Sequence, residues 1–311
     1  MLPTDEARDL DVLVVGDLNA DLILSGDVTP TFGQVEKLLD DVNLTIGSSA
    51  AIFACGAARL GLRTAFVGKV GDDTFGHFMV DALNARGIDT SGVVIDSTIK
   101  TGLSVILSQR TDRAILTYLG SIAALNFAEI DLNMLQRARH LHLGSFFLLD
   151  ALRPDVPKLF ETARNLGLSV SMDTNYDPAE KWNGNLMAAL GQVEIFLPNE
   201  TELLRITREN EVEAGIQMLS EHVPLIALKR GAVGALAQKG NETYSADSIA
   251  VEVVDTTGAG DSFDAGFIYG YLNGWEIPGS LRLACICGAL STQGVGGTAA
   301  QPTLAEALAK M

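Results

Sequence analysis

Asp255-Thr-Thr-Gly-Ala-Gly-Asp-Ser-Phe263 joins two segments of different period. Before it, Ile249–Val254 (Ile-Ala-Val-Glu-Val-Val) alternates like a strand; after it, Asp261–Leu272 repeats apolar residues at helical spacing. The pattern predicts strand, Gly-rich turn, helix. The first amides of a helix have no intrahelical acceptor, and the dipole adds partial positive charge, so the turn suits a phosphate or another anion. Gly258 and Gly260 let backbone approach such an anion closely. Asp261 is the unusual member. A carboxylate there either favours the helix start through the dipole or takes a proton from an attacking hydroxyl. The stretch alone leaves both readings open.

The segments upstream extend the strand–helix rhythm. Asp11–Gly16 is a β-branched run ending in Gly, as expected of a buried central strand. From residue 128 onward, helices expected near 129–138, 154–166, 182–190, 200–205 and 211–221 alternate with strands at His140–Gly144, Ser169–Asp173, Val193–Leu197 and Leu225–Leu228. That alternation predicts an α/β fold, a mostly parallel sheet with helices on both faces. Ligands then bind beyond the carboxyl ends of the strands. The polar residues after each strand gather there: Asp17 and Asn19, Gly144 and Ser145, Asp173 and Asn175, Asn199 and Glu202, Lys229 and Gly231, and Asp255–Asp261. Ala50–Gly61 reads as a small-residue helix, Thr64–Gly71 as a strand and Asp72–Gly87 as a capped amphipathic helix. Four further strands, at about 18–24, 39–46, 102–108 and 113–119, the last two joined through Gln109–Asp112, are expected to form a small separate sheet. Residues 1–10 read as an irregular lead-in. Nothing divides residues 1–311 into more than one domain.

Composition bounds the function. The 311 residues are 47% hydrophobic and 20% charged, enough for a large core. A net charge of −17 argues against a nucleic acid or an anionic membrane as partner. Cys55, Cys285 and Cys287 make a poor disulfide framework and a poor zinc site, and read as buried residues of a reducing compartment. No basic, apolar leader opens the chain, so a cytoplasmic protein is expected. The first strand is not followed by Gly-x-Gly-x-x-Gly, and no Gly-x-x-x-x-Gly-Lys-Ser/Thr occurs. Asn199 and Glu202 start a helix on one face, which suits either a favourable acidic start or a hydrated magnesium ion. Asp17, Asn19 and Asp21 alternate with apolar residues, on a solvated strand face or as partners for sugar hydroxyls. His140 and His142 share a strand face and read as structural.

Taken together, these stretches resemble the ribokinase-like (phosphofructokinase-B type) family of ATP-dependent carbohydrate and nucleoside kinases. Asp255–Phe267 is similar to the family's C-terminal signature, and Gly47–Gly61 to its N-terminal one. Val67–Gly76, Asn199-x-x-Glu202, Lys229-x-Gly231-x-x-Gly234 and Gly16–Asp21 fit as well. The resemblance implies a three-layer α/β/α fold with the small sheet as a lid, and phosphorylation of a small sugar or sugar-like alcohol. It implies Asp261 as base and Gly258, Ala259 and Gly260 as the anion hole. Asn19, Asp21, Gly47 and Ser48 would hold the sugar. Lys229, Gly231, Gly234 and Cys285 would border ATP. Asn199 and Glu202 would organise Mg2+ through water, and Asp255 would bind a monovalent cation such as K+. A homodimer through the lid sheet is implied too. A nucleoside kinase and a non-catalytic sugar-binding regulator are the alternatives. The chain departs from the family pattern at Ser48, Ile52, Gly144–Ser145 and Cys285, which argues against ribose itself as the acceptor.

Overall fold

The computed structural model describes residues 8–109 and 112–311. Its first half contains β1 (Leu10–Val15), β2 (Asn19–Ser25), β3 (Asp41–Ile46), α1 (Ser49–Leu60), β4 (Thr64–Val67), β5 (Lys69–Gly71), α2 (Thr74–Asn84), β6 (Val94–Asp96), β7 (Gly102–Gln109) and β8 (Asp112–Tyr118). Next come α3 (Leu132–Arg137), β9 (Ala138–Leu143), α4 (Val156–Asn165), β10 (Ser169–Met172), α5 (Leu186–Leu190) and β11 (Ile195–Phe196). The chain continues with α6 (Glu200–Thr207), α7 (Val212–Ser220), β12 (Leu225–Lys229), β13 (Ala235–Lys239) and β14 (Glu242–Ala246). It closes with α8 (Ala259–Leu272), α9 (Ile277–Ser291) and α10 (Leu304–Leu308).

Among the described residues the main sheet has eight strands in the order β14-β13-β12-β11-β10-β9-β1-β4. Its strands are parallel from β4 to β12, and β13 and β14 add an antiparallel edge. Side-chain alternation makes the three layers. Val12 and Val14 of β1 pack with α1, α8 and α9, whereas Leu13 and Val15 pack with α3, α4 and their neighbours. Small residues allow the first of these layers to close tightly. A Cβ on Gly266 would lie 2.9 Å from the Ala284 backbone, and one on Gly270 2.5 Å from Ser280 Oγ, so α8 and α9 touch backbone to backbone. α1 stops at Gly61, whose φ of 104° any L side chain would resist.

The small sheet runs β3-β2-β7-β8. Registers Asp21↔Ser104 and Ser104↔Thr117 place Asn19, Asp21, Ser104 and Thr117 on the face toward the main body. Leu22, Leu24, Val105, Leu116 and Tyr118 fall on the opposite face.

Several expectations change. Ile249–Val254 is not a strand: the chain leaves the sheet at Ala246 and runs as an extended, unpaired loop. It walls a cavity instead, which Ile249, Ala250, Val251 and Val253 all line, so the alternation does not sort its residues into two faces. Thr64–Gly71 is two strands in two sheets, because β5 turns away after Gly68 to pair with β6. The helix expected over 182–190 starts only at Leu186; Trp182 and Asn185 have positive φ, which no helix interior accepts. The helix near 129–138 is reduced to α3 after a 3-10 turn at Phe127–Glu129. Residues 1–7 of the lead-in, and 110 and 111 of the expected turn, lie outside the described residues.

Candidate active site

α8 begins where the Gly-rich turn predicted. Gly258 is its N-cap with φ 72°, and a Cβ there would fall 2.7 Å from Gly297 Cα and 2.8 Å from Ile52 Cγ2. Only glycine fits both the dihedral and the space. Ala259 and Gly260 follow, with first-turn amides that have no intrahelical acceptor; Ala259 N donates to Thr256 O in the turn at 3.3 Å. Asp261 lies one residue on and is 9% exposed. Burial pushes its carboxyl up to about 8, and the nearby Asp173 and Asp17 add to that; Ser49 and Lys229 pull the other way.

Asp173 follows β10 and Lys229 ends β12, so parallel strands on either side of β11 deliver both to the same end. Lys229 Nζ donates to Asp173 Oδ2 at 2.7 Å and to Asp264 Oδ2 at 3.1 Å. Its stem passes beneath the α8 start, with Nζ 3.6 Å from where a Gly260 Cβ would stand. Lys229 is therefore neither solvated nor free to wander; it is a buried counter-charge.

Asn199 and Glu202 form a capping box at the start of α6. Asn199 Oδ1 accepts from Glu202 N, and Glu202 Oε2 and Oε1 accept from Asn199 N and Nδ2. Burial first, then Asp173, raises Glu202 to about 7. Among the described residues no group of three or more His, Cys, Asp and Glu is placed to hold a metal ion. The oxygens of this pair are engaged in the capping box, which does not suit direct ligation of a metal.

A cavity of 590 Å³ opens beside the α8 start, within the size of about 300–1,000 Å³ usual for ligand sites. Ile249, Val251, Phe263 and Ala289 wall it, while Lys229, Ala259 and Gly260 close one end. Apolar walls leading to helix-start amides suit a flat heterocycle carrying phosphates. Gly231, Gly234 and Cys285 line it too. Gly234 has φ 113°, and a Cβ there would meet Ala246 O at 2.1 Å. The Cys285 thiol is pushed up to about 11 by burial, which makes it an inert wall.

On the other side of Asp261 lies the inner face of the small sheet. Asn19 and Asp21 are buried there, which removes the solvated-face reading. Asn19 Nδ2 donates to Asp21 Oδ1 at 3.2 Å and to Ser104 Oγ at 3.4 Å. Burial, then Asp17, raises Asp21 to about 7. Gly47 packs on this pair so closely that a Cβ would reach Asp21 Oδ1 at 2.1 Å. Asp17 and Ser48 are structural. Ser48 Oγ donates to Asp17 O at 2.5 Å, Ser48 N-caps α1, and the Asp17 carboxylate accepts from Ala50 N at 3.2 Å. Asp255 Oδ2 accepts from Gly296 N at 2.9 Å, and Oδ1 from Thr257 N at 2.9 Å and from Arg113 at 3.1 Å. His140 and His142 are core groups: both bond Ser171 Oγ, and His142 stacks on Phe53 at 3.7 Å.

Reading by pattern missed Ser49, whose Oγ donates to Asp261 Oδ1. It also missed Asp264 and Arg113. Ser49 looked like part of a helix start, Asp264 like a continuation of a motif and Arg113 like a hairpin residue; only the packing of α1, β12 and β8 onto α8 and its turn gives them partners.

The pfkB family carbohydrate kinase profile matches residues 9–304. A 5-dehydro-2-deoxygluconokinase of Geobacillus thermodenitrificans (strain NG80-2) is 31% identical over 324 residues, spanning 98% of this chain and 94% of that protein. Fructokinase-2 of Solanum habrochaites is 29% identical over 280 residues, spanning 84% of this chain and 85% of that protein. A provisionally named ribokinase II from E. coli, solved with ATP and Mg2+, superimposes with a TM-score of 0.85 at 26% identity, over 96% of this chain and 98% of that one. The architecture is the ribokinase-like one, with the separate small sheet. The chain belongs to the pfkB family of carbohydrate kinases.

Proposed function

We propose that this ATP-dependent sugar kinase uses Asp261 to deprotonate the acceptor hydroxyl and the Gly258, Ala259 and Gly260 amides to receive charge from the transferring phosphoryl group. The observation that carries this is Asp261 in the first turn of α8, directly after Ala259 and Gly260, which line the apolar cavity, and bonded to Ser49, two residues beyond the Gly47 that packs on Asp21 and Asn19. ATP occupies the cavity, bordered by Lys229, Gly231, Gly234 and Cys285. The acceptor lies under the lid, held by Asn19, Asp21 and Gly47, while Ser48, bonded to Asp17 O and Ala51 N, fixes the turn beside it. Phosphoryl transfer needs position and charge stabilisation more than covalent chemistry. The first-turn amides meet the charge that develops, and Lys229 adds positive charge below them. Magnesium arrives with ATP as part of the substrate, met by Asn199 and Glu202 through water. Lid closure excludes water, the competing acceptor.

A small polyhydroxylated acceptor fits the lid face better than a nucleoside does. Asn19, Asp21, Ser104, Thr117 and Asn43 point inward, and no aromatic residue of those four strands does. Phe146 and Phe147 are buried in the core and Tyr118 sits on the outer face, so none of the three forms a base-stacking wall. The 31% identity to a 5-dehydro-2-deoxygluconokinase adds keto-deoxy sugar acids to the candidate acceptors. The lid's outer face is apolar, with Leu116 61% and Tyr118 55% exposed; a homodimer through this face would cover it. No described helix is long and apolar enough to cross a membrane.

An ATP-consumption screen across pentoses, hexoses, keto-deoxy acids, inositols and nucleosides tests the reading. It is run in potassium and in sodium, since Asp255 is the proposed monovalent-cation ligand. One sugar class should support turnover. Asp261→Asn should keep ATP binding and lose turnover by ~10²–10⁴. Consumption with no acceptor at all, or full turnover in Asp261→Asn, would overturn the assignment.

A further inference from the structure

We infer that Ser49 is a positioning residue for Asp261: its hydroxyl holds one carboxylate oxygen so that the other faces the acceptor. This rests on the reading of Asp261 as the base.

The contact is built, not incidental. Ser49 is the first residue of α1, and its hydroxyl donates to Asp261 Oδ1 in the first turn of α8. Gln301 and Ile52 fix the two helix starts against each other, and Asp17 anchors the first of them to the sheet. Gln301 Nε2 donates to Ile52 O at 2.9 Å and to Ser262 Oγ at 3.1 Å, bridging the residue after Asp261 to the α1 turn after Ser49. Ile52 Cγ2 packs against Gly258, 2.8 Å from where a Cβ would stand. Asp17 and Ser48 tie the α1 start to the end of β1, with Ala50 N 3.2 Å from Asp17 Oδ1. The Ser49 hydroxyl therefore has a fixed station beside the base.

The surroundings give that station a purpose. Asp261 faces Asp173 from the end of β10, Asp17 from the end of β1, Asp264 from its own helix and Lys229 from β12. Burial, Asp173 and Asp17 favour the protonated, useless form; Ser49 and Lys229 favour the ionised one. A hydroxyl donor stabilises a carboxylate and not its protonated partner, and it fixes the plane of the group. With Oδ1 taken, Oδ2 is the oxygen left for the substrate hydroxyl. The same short turn also carries Gly47, which packs on Asp21 of the lid strand, so residues 47–52 touch the acceptor pocket, the base and the phosphoryl-binding amides in succession.

The test is a kcat–pH profile at saturating ATP and sugar for wild type, Ser49→Ala and Ser49→Thr, with unfolding midpoints measured alongside. Ser49→Ala should lower kcat about tenfold at neutral pH and move the acid limb upward by about one pH unit, which is a tenfold change in proton affinity. The KM for ATP and the unfolding midpoint should hold. Ser49→Thr, which keeps the hydroxyl, should keep the wild-type limb. An unmoved limb overturns the inference, whether Ser49→Ala leaves every constant unchanged or raises only the sugar KM, which would make Ser49 a substrate contact. Asp261→Asn is assayed in parallel. If it is inactive while Ser49→Ala is normal, only the Ser49 inference fails; if Asp261→Asn turns over normally, the base reading itself fails.

Discussion

Lys229 Nζ lies 2.7 Å from the Asp173 carboxylate and 3.1 Å from that of Asp264, yet the proton affinities of the two acids shift in opposite directions. Burial works to raise both. At Asp173 the Lys229 ammonium and several hydrogen bonds outweigh it, and the group stays below the usual carboxylate range. At Asp264 burial and the neighbouring Asp173 win, and the group is held well above it. The lysine thus pairs with one acid pushed toward the ionised form and one pushed toward the neutral form. Asp264→Asn replaces the acid pushed toward the neutral form by its neutral isostere and should change stability by less than about 1 kcal/mol. Asp173→Asn strands a buried ammonium and should cost about 3 kcal/mol. Denaturant unfolding at pH 7 distinguishes them; equal losses would refute the asymmetry.

The raised carboxyls set a direction for pH. Asp261, up to about 8, and Asp21 and Glu202, each up to about 7, are all raised mainly by burial. Their folded pKa values exceed the unfolded ones, so they stabilise below the unfolded pKa and lose that contribution as pH rises through the folded values. The unfolding midpoint should therefore fall from pH 6 to pH 9. Asp261→Asn should raise the midpoint at pH 9 by a few degrees, on the order of 1–2 kcal/mol, while turnover collapses. Catalysis runs the opposite way: wild-type kcat/KM should drop as pH falls below about 8, because the base must be ionised.

Gly47 stands against the acceptor pocket without touching the nucleotide cavity. A methyl at this position would meet Asp21 Oδ1 at 2.1 Å and Asn19 Nδ2 at 2.8 Å, so these side chains must move. Gly47→Ala should raise the sugar KM by at least about tenfold and leave the KM for ATP unchanged. Steady-state kinetics with each substrate varied in turn checks the split.

Ala289 lines the cavity assigned to ATP, on the face of α9 that meets Ile249–Val253. Ala289→Trp should fill that 590 Å³ space and raise the ATP KM by more than about tenfold. Sugar binding measured by calorimetry without nucleotide should be unaffected. An unchanged ATP KM would place the nucleotide elsewhere.

Leu116 tests the outer face of the lid. It is 61% exposed on a strand whose outward neighbours, Val105 and Leu22, are also apolar. Leu116→Arg should convert a dimer to a monomer in sedimentation velocity without altering the unfolding midpoint of the monomer. A wild-type chain that sediments as a monomer would remove this role.

The layer architecture was legible because period alone decides it. β1, α1, the β12 turn and the α8 start have strong alternation, helical spacing, Ser and Gly caps or Gly-rich turns, and each formed near where the pattern put it. The same holds for the four lid strands and for Asp261, Gly258 and Gly260, since a helix start that exposes its amides is a local property. Ile249–Val254 shows the limit: its period-2 alternation requires an extended chain, but what that chain packs against is not local, and here it walls a cavity instead of joining a sheet. Charge states were also out of reach. Asp173 is far in sequence from Asp261 and Asp264, and the three acquire raised or lowered proton affinities only when β10, β12 and α8 bring them around one lysine. Asp261, first read as a carboxylate of two possible purposes, gained its neighbours in the same way. That it opens a helix beside anion-binding amides is written in the residues around it. That Ser49 holds it, Lys229 opposes its neighbours' charge and burial raises it depends on α1, β10 and β12 packing against α8, because hydrogen bonds and electrostatics act through space and not along the chain.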